Sequence, residues 1–294
     1  IMKKNMKTVT VTRVGHPLPH PTTPGLAPEI TVQVFFNQES VTLPSSPLSM
    51  LIRTGDTLTF EPDGNLRKVN HLTAGMLNEH LLGFEGEIDR VSHPLWLSAP
   101  NGQPELCVIV AAGKLMFALK ADWNTLLLRD GDCIELCLEK HRPIRFHNQS
   151  LGFAFTPAAV QSAGLQGQIK RVAHPMTWPG ADGIIGLKTL VLMEDLTFKI
   201  LKASPESMFL QDNDLVKISN EGIKNARIPQ IRYAGGALPE YYEVKAVGHP
   251  FPVILPNGAK QLSRYLITKE NKIYRLPADE NNMSLRAGDK VFQN

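Results

Sequence analysis

One short motif occurs four times along the chain, and it constrains the fold more than any other feature. Each occurrence ends in a His-Pro pair, and the pairs are His16-Pro17, His93-Pro94, His174-Pro175 and His249-Pro250. The intervals between the histidines are 77, 81 and 75 residues. Self-similarity at a nearly constant period is the signature of tandem structural units. The sequence therefore predicts four copies of one module.

A second motif follows each His-Pro pair at a fixed distance. It is an aspartate that comes 39 or 40 residues after the histidine, and the four are Asp56, Asp132, Asp214 and Asp289. Glycine precedes Asp56, Asp132 and Asp289, whereas Asn213 precedes Asp214. Asparagine tolerates positive φ better than other non-glycine residues. We therefore expect a tight turn between two short strands, with the aspartate side chain capping the turn. A structural role is preferred here to a metal-binding or catalytic carboxylate.

Hairpin patterns lie between the two motifs in every copy. Each has a β-rich run, a polar or glycine-containing break and a second run, and they span residues 31–43, 106–121, 189–203 and 265–278. Together with the strands flanking both motifs, one copy supplies about five short strands. The predicted fold is therefore all-β, with four tandem small β-barrel or β-sandwich modules at 1–70, 71–146, 147–231 and 232–294. Units this small depend on packing against their neighbours.

Two short linker helices are expected before the second and third copies. One spans His71–Leu82 with Thr73 as its cap, and the other spans Thr156–Gly164 with Pro157 in its first turn. In the strand that leads into the His-Pro pair, the apolar Ile88 and Val91 are three residues apart. Strict strand alternation fails there, so we expect a bulge or a bend.

Four equivalent histidines raise the hypothesis of a metal site. A zinc ion needs ligands that converge on one point, whereas residues repeated once per module are a module width apart unless the modules form a ring. We therefore favour histidines that bond to the backbone at strand ends, and no metal or cofactor is predicted. The sequence also carries none of the common nucleotide-binding, hydrolase or metalloprotease motifs, so no catalytic residues are predicted and an enzyme is not expected.

All three cysteines fall in the second module. Cys133 and Cys137 would share one strand face about 13 Å apart, so they cannot bond to each other. Unpaired thiols suit synthesis in a reducing compartment, and the N-terminal segment shows no apolar signal region. We expect synthesis in the cytoplasm, with incorporation into a virion or another assembly.

Charge and hydropathy exclude two classes of partner. The net charge is +3 and no apolar run reaches 18 residues, so neither a nucleic-acid partner nor membrane insertion is predicted. Two sets of basic residues stand out, which are Lys140, His141, Arg142 and Arg145 after the second copy, and Arg13, Arg90 and Arg171 before His-Pro pairs. We interpret both sets as a solvated edge, with contacts to phosphate or to acidic polymers as the alternative.

Two features outside the motifs could make contacts. Residues 17–28 contain five prolines and predict a stiff extended segment, which is either a contact arm or an ordered loop. Trp96 and Trp178 follow the His-Pro pairs of copies two and three, where they could stack on sugar rings or pack in the core.

The function predicted first is a non-enzymatic structural or interaction protein, a subunit of a larger assembly such as a virion, a tail or a surface appendage. Its partners would be other proteins or further copies of itself. The alternative is a carbohydrate- or small-ligand-binding protein that uses the His-Pro loops and the tryptophans. A hydrolase with a site at a module junction is the third hypothesis.

Overall fold

The computed structural model describes residues 6–20, 28–77, 83–99, 101–137, 145–179, 185–228, 232–234 and 237–292. Strands joined by tight turns make up most of these residues, and the prediction of an all-β fold is confirmed. The chain divides into two compact units, 1–156 and 157–294, and each contains two of the four His-Pro pairs. In the described residues the sheets are small, antiparallel in nearly every pairing and open, so the closure of each repeat into a barrel or sandwich stays a prediction.

The first repeat forms two sheets. Its strands are β1 (Lys7–Thr10), β2 (Arg13–Val14), β3 (Leu18–Pro19), β4 (Ile30–Phe36), β5 (Glu39–Pro44), β6 (Thr57–Phe60) and β7 (Leu66–Val69), followed by β8 (Leu72–Thr73). One sheet has the order β1-β6-β7-β8, and the other has the order β2-β4-β3 with β5 also on β4. A 3-10 turn at Ser49–Leu51 lies between β5 and β6.

The second repeat follows the same succession. Its elements are β9 (Gly83–Glu87), β10 (Arg90–Val91), β11 (Leu95–Ser98), β12 (Pro104–Ala112), β13 (Leu115–Lys120), helix α1 (Trp123–Leu126), β14 (Cys133–Cys137) and β15 (Arg145–Asn148). The sheets are β10-β12-β11 with β13 on β12, and β15-β14-β9. Strand β15 continues to Asn148, beyond residue 146, where the second module was predicted to end. The four module boundaries stay predictions.

The third and fourth repeats each form one larger sheet. The third contains β16 (Leu165–Val172), β17 (Met176–Pro179), β18 (Ile185–Met193), β19 (Phe198–Lys202), α2 (Pro205–Met208), β20 (Leu215–Ser219) and β21 (Gly222–Asn225). The fourth contains β22 (Arg232–Tyr233), β23 (Tyr241–Val247), β24 (Phe251–Ile254), β25 (Lys260–Thr268), β26 (Lys272–Pro277), α3 (Glu280–Met283) and β27 (Lys290–Phe292). Their strand orders are β17-β18-β16-β20-β21 with β19 on β18, and β22-β26-β25-β23-β27 with β24 on β25. Of all these neighbours, only β22 and β26 run parallel.

The predicted hairpins are present, and the sequence shows why. In β4 buried and half-buried positions alternate, so that Ile30, Val32, Val34 and Phe36 face the core while Thr31, Gln33 and Phe35 lie between them. The turn to β5 uses Asn37 and Gln38, both with positive φ (47° and 66°). Two consecutive residues of this kind match the twist of the flanking strands and fix a two-residue hairpin.

The strand before each His-Pro pair bends, as its broken alternation predicts. In β16 the pairing register shifts between Ile169 and Arg171, and in β23 it shifts between Val244 and Ala246. The first part of each strand pairs with the strand after the Gly-Asp turn, and the second part pairs with the long hairpin strand. In the first two repeats the same bend divides the strand in two, giving β1 with β2 and β9 with β10.

The two predicted linker helices are wrong. Residues 156–164 form bends without a helix, because Ser162 N donates to Phe198 O (2.9 Å) and the Gln161 amide oxygen accepts from Ile200 N (2.8 Å). These bonds hold the segment along β19, against its local helix propensity. In the 71–82 range, Leu72–Thr73 pair with β7 and Ala74–Met76 form a 3-10 turn, while residues 78–82 lie outside the described residues.

Helical turns form instead just before the Gly-Asp turns, where no helix was predicted. A polar cap stands ten residues before each motif aspartate, and the four caps are Ser46, Asp122, Ser204 and Asp279. Each accepts a bond from the backbone N–H three residues later, at 3.0, 2.9, 3.1 and 2.8 Å. At Asp122, Ser204 and Asp279 this is the N-cap contact that starts α1, α2 and α3, whereas Ser46 makes the same contact before the 3-10 turn at Ser49–Leu51. None of the helices in the described segments has the length and apolar composition needed to cross a lipid bilayer.

Each unit has a core cluster that is shared between its two repeats. In the first unit one cluster of buried residues contains Leu58 and Leu72 from β6 and β8 together with Leu95, Ile109 and Met116 from the second repeat. In the second unit Phe209 and Ile228 pack with a buried group from the fourth repeat, which is Ala246, Ile267 and Ile273. Burial of such side chains is the main favourable term in folding, so each repeat is stabilised by its neighbour.

Candidate functional site

The Gly-Asp turns have one geometry in all four repeats. The residue before the aspartate has positive φ, at 92°, 87°, 70° and 91° for Gly55, Gly131, Asn213 and Gly288. The aspartate Oδ2 accepts from the backbone N–H three residues earlier, at 2.7, 2.9, 3.0 and 2.9 Å for Asp56, Asp132, Asp214 and Asp289. These bonds close the turn, and they place each carboxylate against the start of the next strand.

An asparagine joins the carboxylate in three repeats, and no sequence motif marked it. Its side-chain amide donates to the aspartate, at 2.8, 2.9 and 2.7 Å for Asn70, Asn148 and Asn225. Each asparagine ends or directly follows the strand that covers the turn, which is β7, β15 or β21. The separation from the aspartate is 14, 16 and 11 residues, and this variable spacing hides the pair in the sequence.

An arginine completes the site in the first and third repeats. Arg90 Nη1 and Nη2 donate to Asp56 at 2.6 and 2.8 Å, and Arg90 Nη1 also donates to Leu51 O at 3.1 Å. In the third repeat Arg227 Nε and Nη2 donate to Asp214 at 2.7 and 3.0 Å, and Nη2 also donates to the Phe209 carbonyl. A bidentate guanidinium on a carboxylate is the strongest geometry for such a pair.

The two arginines come from different places in the repeat. Arg90 stands three residues before His93, and the equivalent residue of the fourth repeat is Ala246. The fourth repeat therefore has no arginine to offer to Asp214, the motif aspartate of the third repeat. Asp214 pairs instead with Arg227, which belongs to the third repeat itself. The repeated arginine, interpreted from the sequence as part of a solvated edge, is therefore at Arg90 a half-buried ion pair.

The first of these ion pairs is charged in the folded protein. Burial by itself raises the pKa of Asp56, but hydrogen bonds from Arg90, the Arg53 backbone and Asn70 outweigh it, and the pKa lies below its ordinary value. The hydrogen bond to Asp56 raises the pKa of Arg90. Arg53 of the first repeat contacts the second repeat in return. Its guanidinium donates to the Val91 carbonyl and lies 3.6 Å from the Asp130 carboxylate. The two repeats of the first unit thus exchange arginines.

The His-Pro pairs meet two by two. In the first unit the His16 and His93 rings lie 4.9 Å apart, and in the second unit the His174 and His249 rings lie 5.9 Å apart. The expected separation by a module width is therefore wrong within a unit, because paired repeats bring these turns face to face. His16 Nδ1 lies 3.1 Å from Pro17 O, the kind of backbone contact expected at a strand end. No group of three or more metal-ligating side chains occurs in the described residues.

Two buried titratable side chains lie on the long hairpin strands, Cys107 on β12 and Arg264 on β25. Burial, reinforced by Glu105, raises the pKa of the Cys107 thiol to about 11, so it is protonated at neutral pH. Burial lowers the pKa of Arg264 to about 10, and its guanidinium donates to Gly248 O at 2.9 Å and Asn282 O at 2.8 Å. Arg264 thereby joins the fourth repeat's His-Pro turn to α3.

The two tryptophans do not form an equivalent pair. Trp96 is the third residue after its histidine and lies opposite Leu106, whereas Trp178 is the fourth and lies opposite Gly186. Because successive residues of a strand point to opposite faces, the two side chains project from opposite faces of equivalent strands. Trp96 packs against the core cluster of the first unit.

A hairpin arm follows each His-Pro pair, a feature that sequence reasoning found only once. The arms pair β3 with β4, β11 with β12, β17 with β18 and β24 with β25. The proline-rich segment 17–28 begins as the first of them, and residues 21–27 lie outside the described residues. The second and fourth arms end in matching turns, in which Gly102 N donates to Ala99 O and Gly258 N donates to Leu255 O, both at 2.8 Å. The shared Pro-Asn-Gly sequence at these two tips was the available signal.

Of the other predicted basic residues, Arg13 lies in β2 and Arg171 in β16, and both are half-buried. Lys140, His141 and Arg142 lie outside the described residues, and Arg145 is placed only as the first residue of β15.

No protein-family model matches the chain, and no curated protein matches it.

Proposed function

We propose that the chain is a non-enzymatic structural or interaction protein, a subunit of a larger assembly such as a virion, a tail or a surface appendage. It would be made in the cytoplasm and would associate with other proteins or with further copies of itself. In this proposal each repeat is a small module of about five strands, closed as a barrel or sandwich, and the arms are its contact elements.

The observation that carries the proposal is an exposed isoleucine at the end of two arms. In the third arm the last strand pair is Pro179 with Ile185, and in the fourth it is Ile254 with Lys260. These two pairs are equivalent in the repeat, and Ile185 and Ile254 are 70% and 69% exposed. Single exposed apolar residues are ordinary on a surface, but the same end of two equivalent arms is a place where a partner would cover them.

The test is the concentration dependence of self-association, measured by sedimentation velocity on the full chain. We expect assemblies larger than the monomer, and we expect Ile185→Ser combined with Ile254→Ser to weaken association at least tenfold. Val160→Ser is the matched control, because Val160 is 89% exposed in the segment before β16 and away from the arms. A chain that stays monomeric at all concentrations, or an equal effect of the control, would count against the proposal.

The alternative, a carbohydrate-binding protein, predicts a shared stacking surface made by Trp96 and Trp178. Their placement on opposite strand faces argues against such a surface. Saturable heat release on titration with oligosaccharides, lost in Trp178→Ala, would restore this alternative.

A further inference from the structure

A cavity lies on the outer face of the first repeat's β1-β6-β7-β8 sheet, which is the face turned away from the core. Its volume is about 440 Å³, and its lining residues are Met6, Thr8, Thr59, Arg67 and Lys68. We call it the Arg67 cavity. Small-molecule sites have volumes of about 300–1,000 Å³. The Arg67 cavity therefore has room for a small organic molecule, and its lining contains two cations and no carboxylate.

An extra residue in β7 places both cations at this cavity. Leu66 and Val69 of β7 pack in the core cluster, and the pairing register with β6 shifts between Leu66 and Lys68. Two exposed residues, Arg67 and Lys68, therefore lie between core-facing positions where a regular strand has one. A β-bulge of this kind redirects a side chain, and bulges are common beside functional sites.

The equivalent strands of the next two repeats have no such residue. The pairing of β14 with β15 is regular, as is that of β20 with β21. In β21 the single residue Lys224 lies between Ile223, which packs against the core, and the buried Asn225. Of these three equivalent strand pairs, only β6 with β7 carries the extra residue, and that residue is the arginine of the cavity.

The charge of this outer face also differs between repeats. In the first repeat three residues face one another across neighbouring strands, namely Thr8, Thr59 and Lys68. The equivalent three in the second repeat are Glu85, Glu135 and His147. An anion would therefore be attracted to this face of the first repeat, whereas two carboxylates oppose it on the second.

The side chains of the cavity supply hydrogen-bond donors of several kinds. Arg67 Nη1 donates to Met6 Sδ at 3.2 Å, and a thioether is a weak acceptor. Within the described residues no carboxylate lies at ion-pair distance from Arg67 or Lys68. Thr8 and Thr59 lie directly opposite each other in the sheet. A guanidinium, an ammonium and two hydroxyls on one surface match the several oxygens of a phosphate or sulfate group.

We propose that the Arg67 cavity binds the phosphate or sulfate group of a small organic molecule. Arg67 donates to two oxygens of the group, Lys68 neutralises its charge, and the hydroxyls of Thr8 and Thr59 donate to the remaining oxygen. The organic part of the ligand lies against the Met6 side chain, which is 51% exposed. This site goes beyond the proposed function and does not depend on self-association.

The test is titration calorimetry of the full chain with glucose 6-phosphate and glucose 6-sulfate at low ionic strength, with glucose as the neutral probe. We expect saturable one-to-one binding of the esters and no binding of glucose. The ester that binds more tightly identifies the group for which the cavity is built. The affinity should fall when salt is raised to about 0.15 M, because exposed charges are screened there.

Variants of the two cations locate the binding. Arg67→Gln with Lys68→Gln should weaken binding about tenfold or more, because hydrogen bonds from charged donors are lost. Arg67→Lys keeps the charge but lacks the two parallel donors, so it should give a smaller loss. Both residues are exposed, and we expect the urea midpoint of each variant to equal that of the parent.

The matched control is Lys217→Gln with Lys224→Gln, which removes two exposed cations from the equivalent face of the third repeat. It should leave the affinity unchanged, because that face has no bulge. Failure of both esters to saturate the chain would overturn the inference. Binding of glucose as tight as that of the esters, or a loss in the control equal to the loss at the Arg67 cavity, would overturn it as well.

Discussion

Removal of the Arg90 side chain tests whether the arginine exchange holds the first unit together. The Arg90→Ala variant takes both guanidinium bonds from a carboxylate that is 5% exposed, while Arg90 itself is 21% exposed. Each hydrogen bond to a charged group contributes about 1.5–3 kcal/mol. Asp56 keeps its bonds from Asn70 and the Arg53 backbone, so we expect a loss of about 3 kcal/mol, in the lower part of the range for breaking a buried ion pair. This corresponds to a change of about 150-fold in the folding equilibrium.

The assay is urea unfolding followed by tryptophan fluorescence in a Trp178→Phe background. Trp96 and Trp123 then report on the first unit alone, because both lie within residues 1–156. A double-mutant cycle with Asp56→Asn, which keeps the size of the side chain, separates the pair from general damage at the site. We expect a coupling energy of about 2 kcal/mol between the two positions.

The pH dependence gives a second check. The folded pKa of Asp56 lies below its ordinary value of 3.8, so the stability that it contributes is present above pH 3.8 and is lost as the pH falls through the folded value. The difference between the parent and Arg90→Ala should therefore be constant from neutral pH to about pH 5 and shrink in stronger acid. A loss below about 1 kcal/mol, the range of exposed surface pairs, or a difference unchanged by acid would refute the role given to this ion pair.

Three further predictions concern single residues. In the second unit, Arg227→Ala should lower stability by about 3 kcal/mol, because it removes the guanidinium from buried Asp214, and Trp178 fluorescence during urea unfolding measures the change; an effect like that of a surface lysine would contradict it. Gly131→Ala should cost about 1–2 kcal/mol, because φ there is 87°, and Gly131→Asn should cost less, as Asn213 implies; equal costs in thermal unfolding would argue against the turn geometry. The Cys107 thiol, with a pKa of about 11, should react with a disulfide reagent at pH 8 only after denaturation, so that Cys107→Ser leaves the fast phase of native labelling unchanged.

Local signals in the sequence were enough for the fold class, the turns and the bend. Gly55 and Asn37 require backbone conformations that few neighbours can alter, and the alternation in β4 is strong. The segment 156–164 has the local marks of a helix, but bonds from Ser162 and Gln161 to β19 override them. Such bonds join residues almost forty positions apart, which no local propensity can reveal.

The site was less predictable because its members are variable in position. The aspartates kept one spacing and were found, whereas the asparagines are 11 to 16 residues away, and Arg227 replaces an arginine that the repeat normally carries near its His-Pro pair. The pairing of His16 with His93 depends on how two repeats pack, which the order of residues along the chain does not specify.

Arg90 comes from the repeat after its aspartate, whereas Arg227 comes from the same repeat as its aspartate. The two units would therefore respond differently to the removal or exchange of their second repeat. The turn at Asp56 takes its counterion from the following repeat, so excision of that repeat would leave a buried carboxylate without its cation. The turn at Asp214 has its own cation thirteen residues downstream, at Arg227, and would keep it if the fourth repeat were exchanged for another sequence. Loss of the second repeat would therefore remove a counterion as well as core contacts, whereas loss of the fourth would keep the ion pair at Asp214 and uncover the apolar cluster of Phe209 and Ile228.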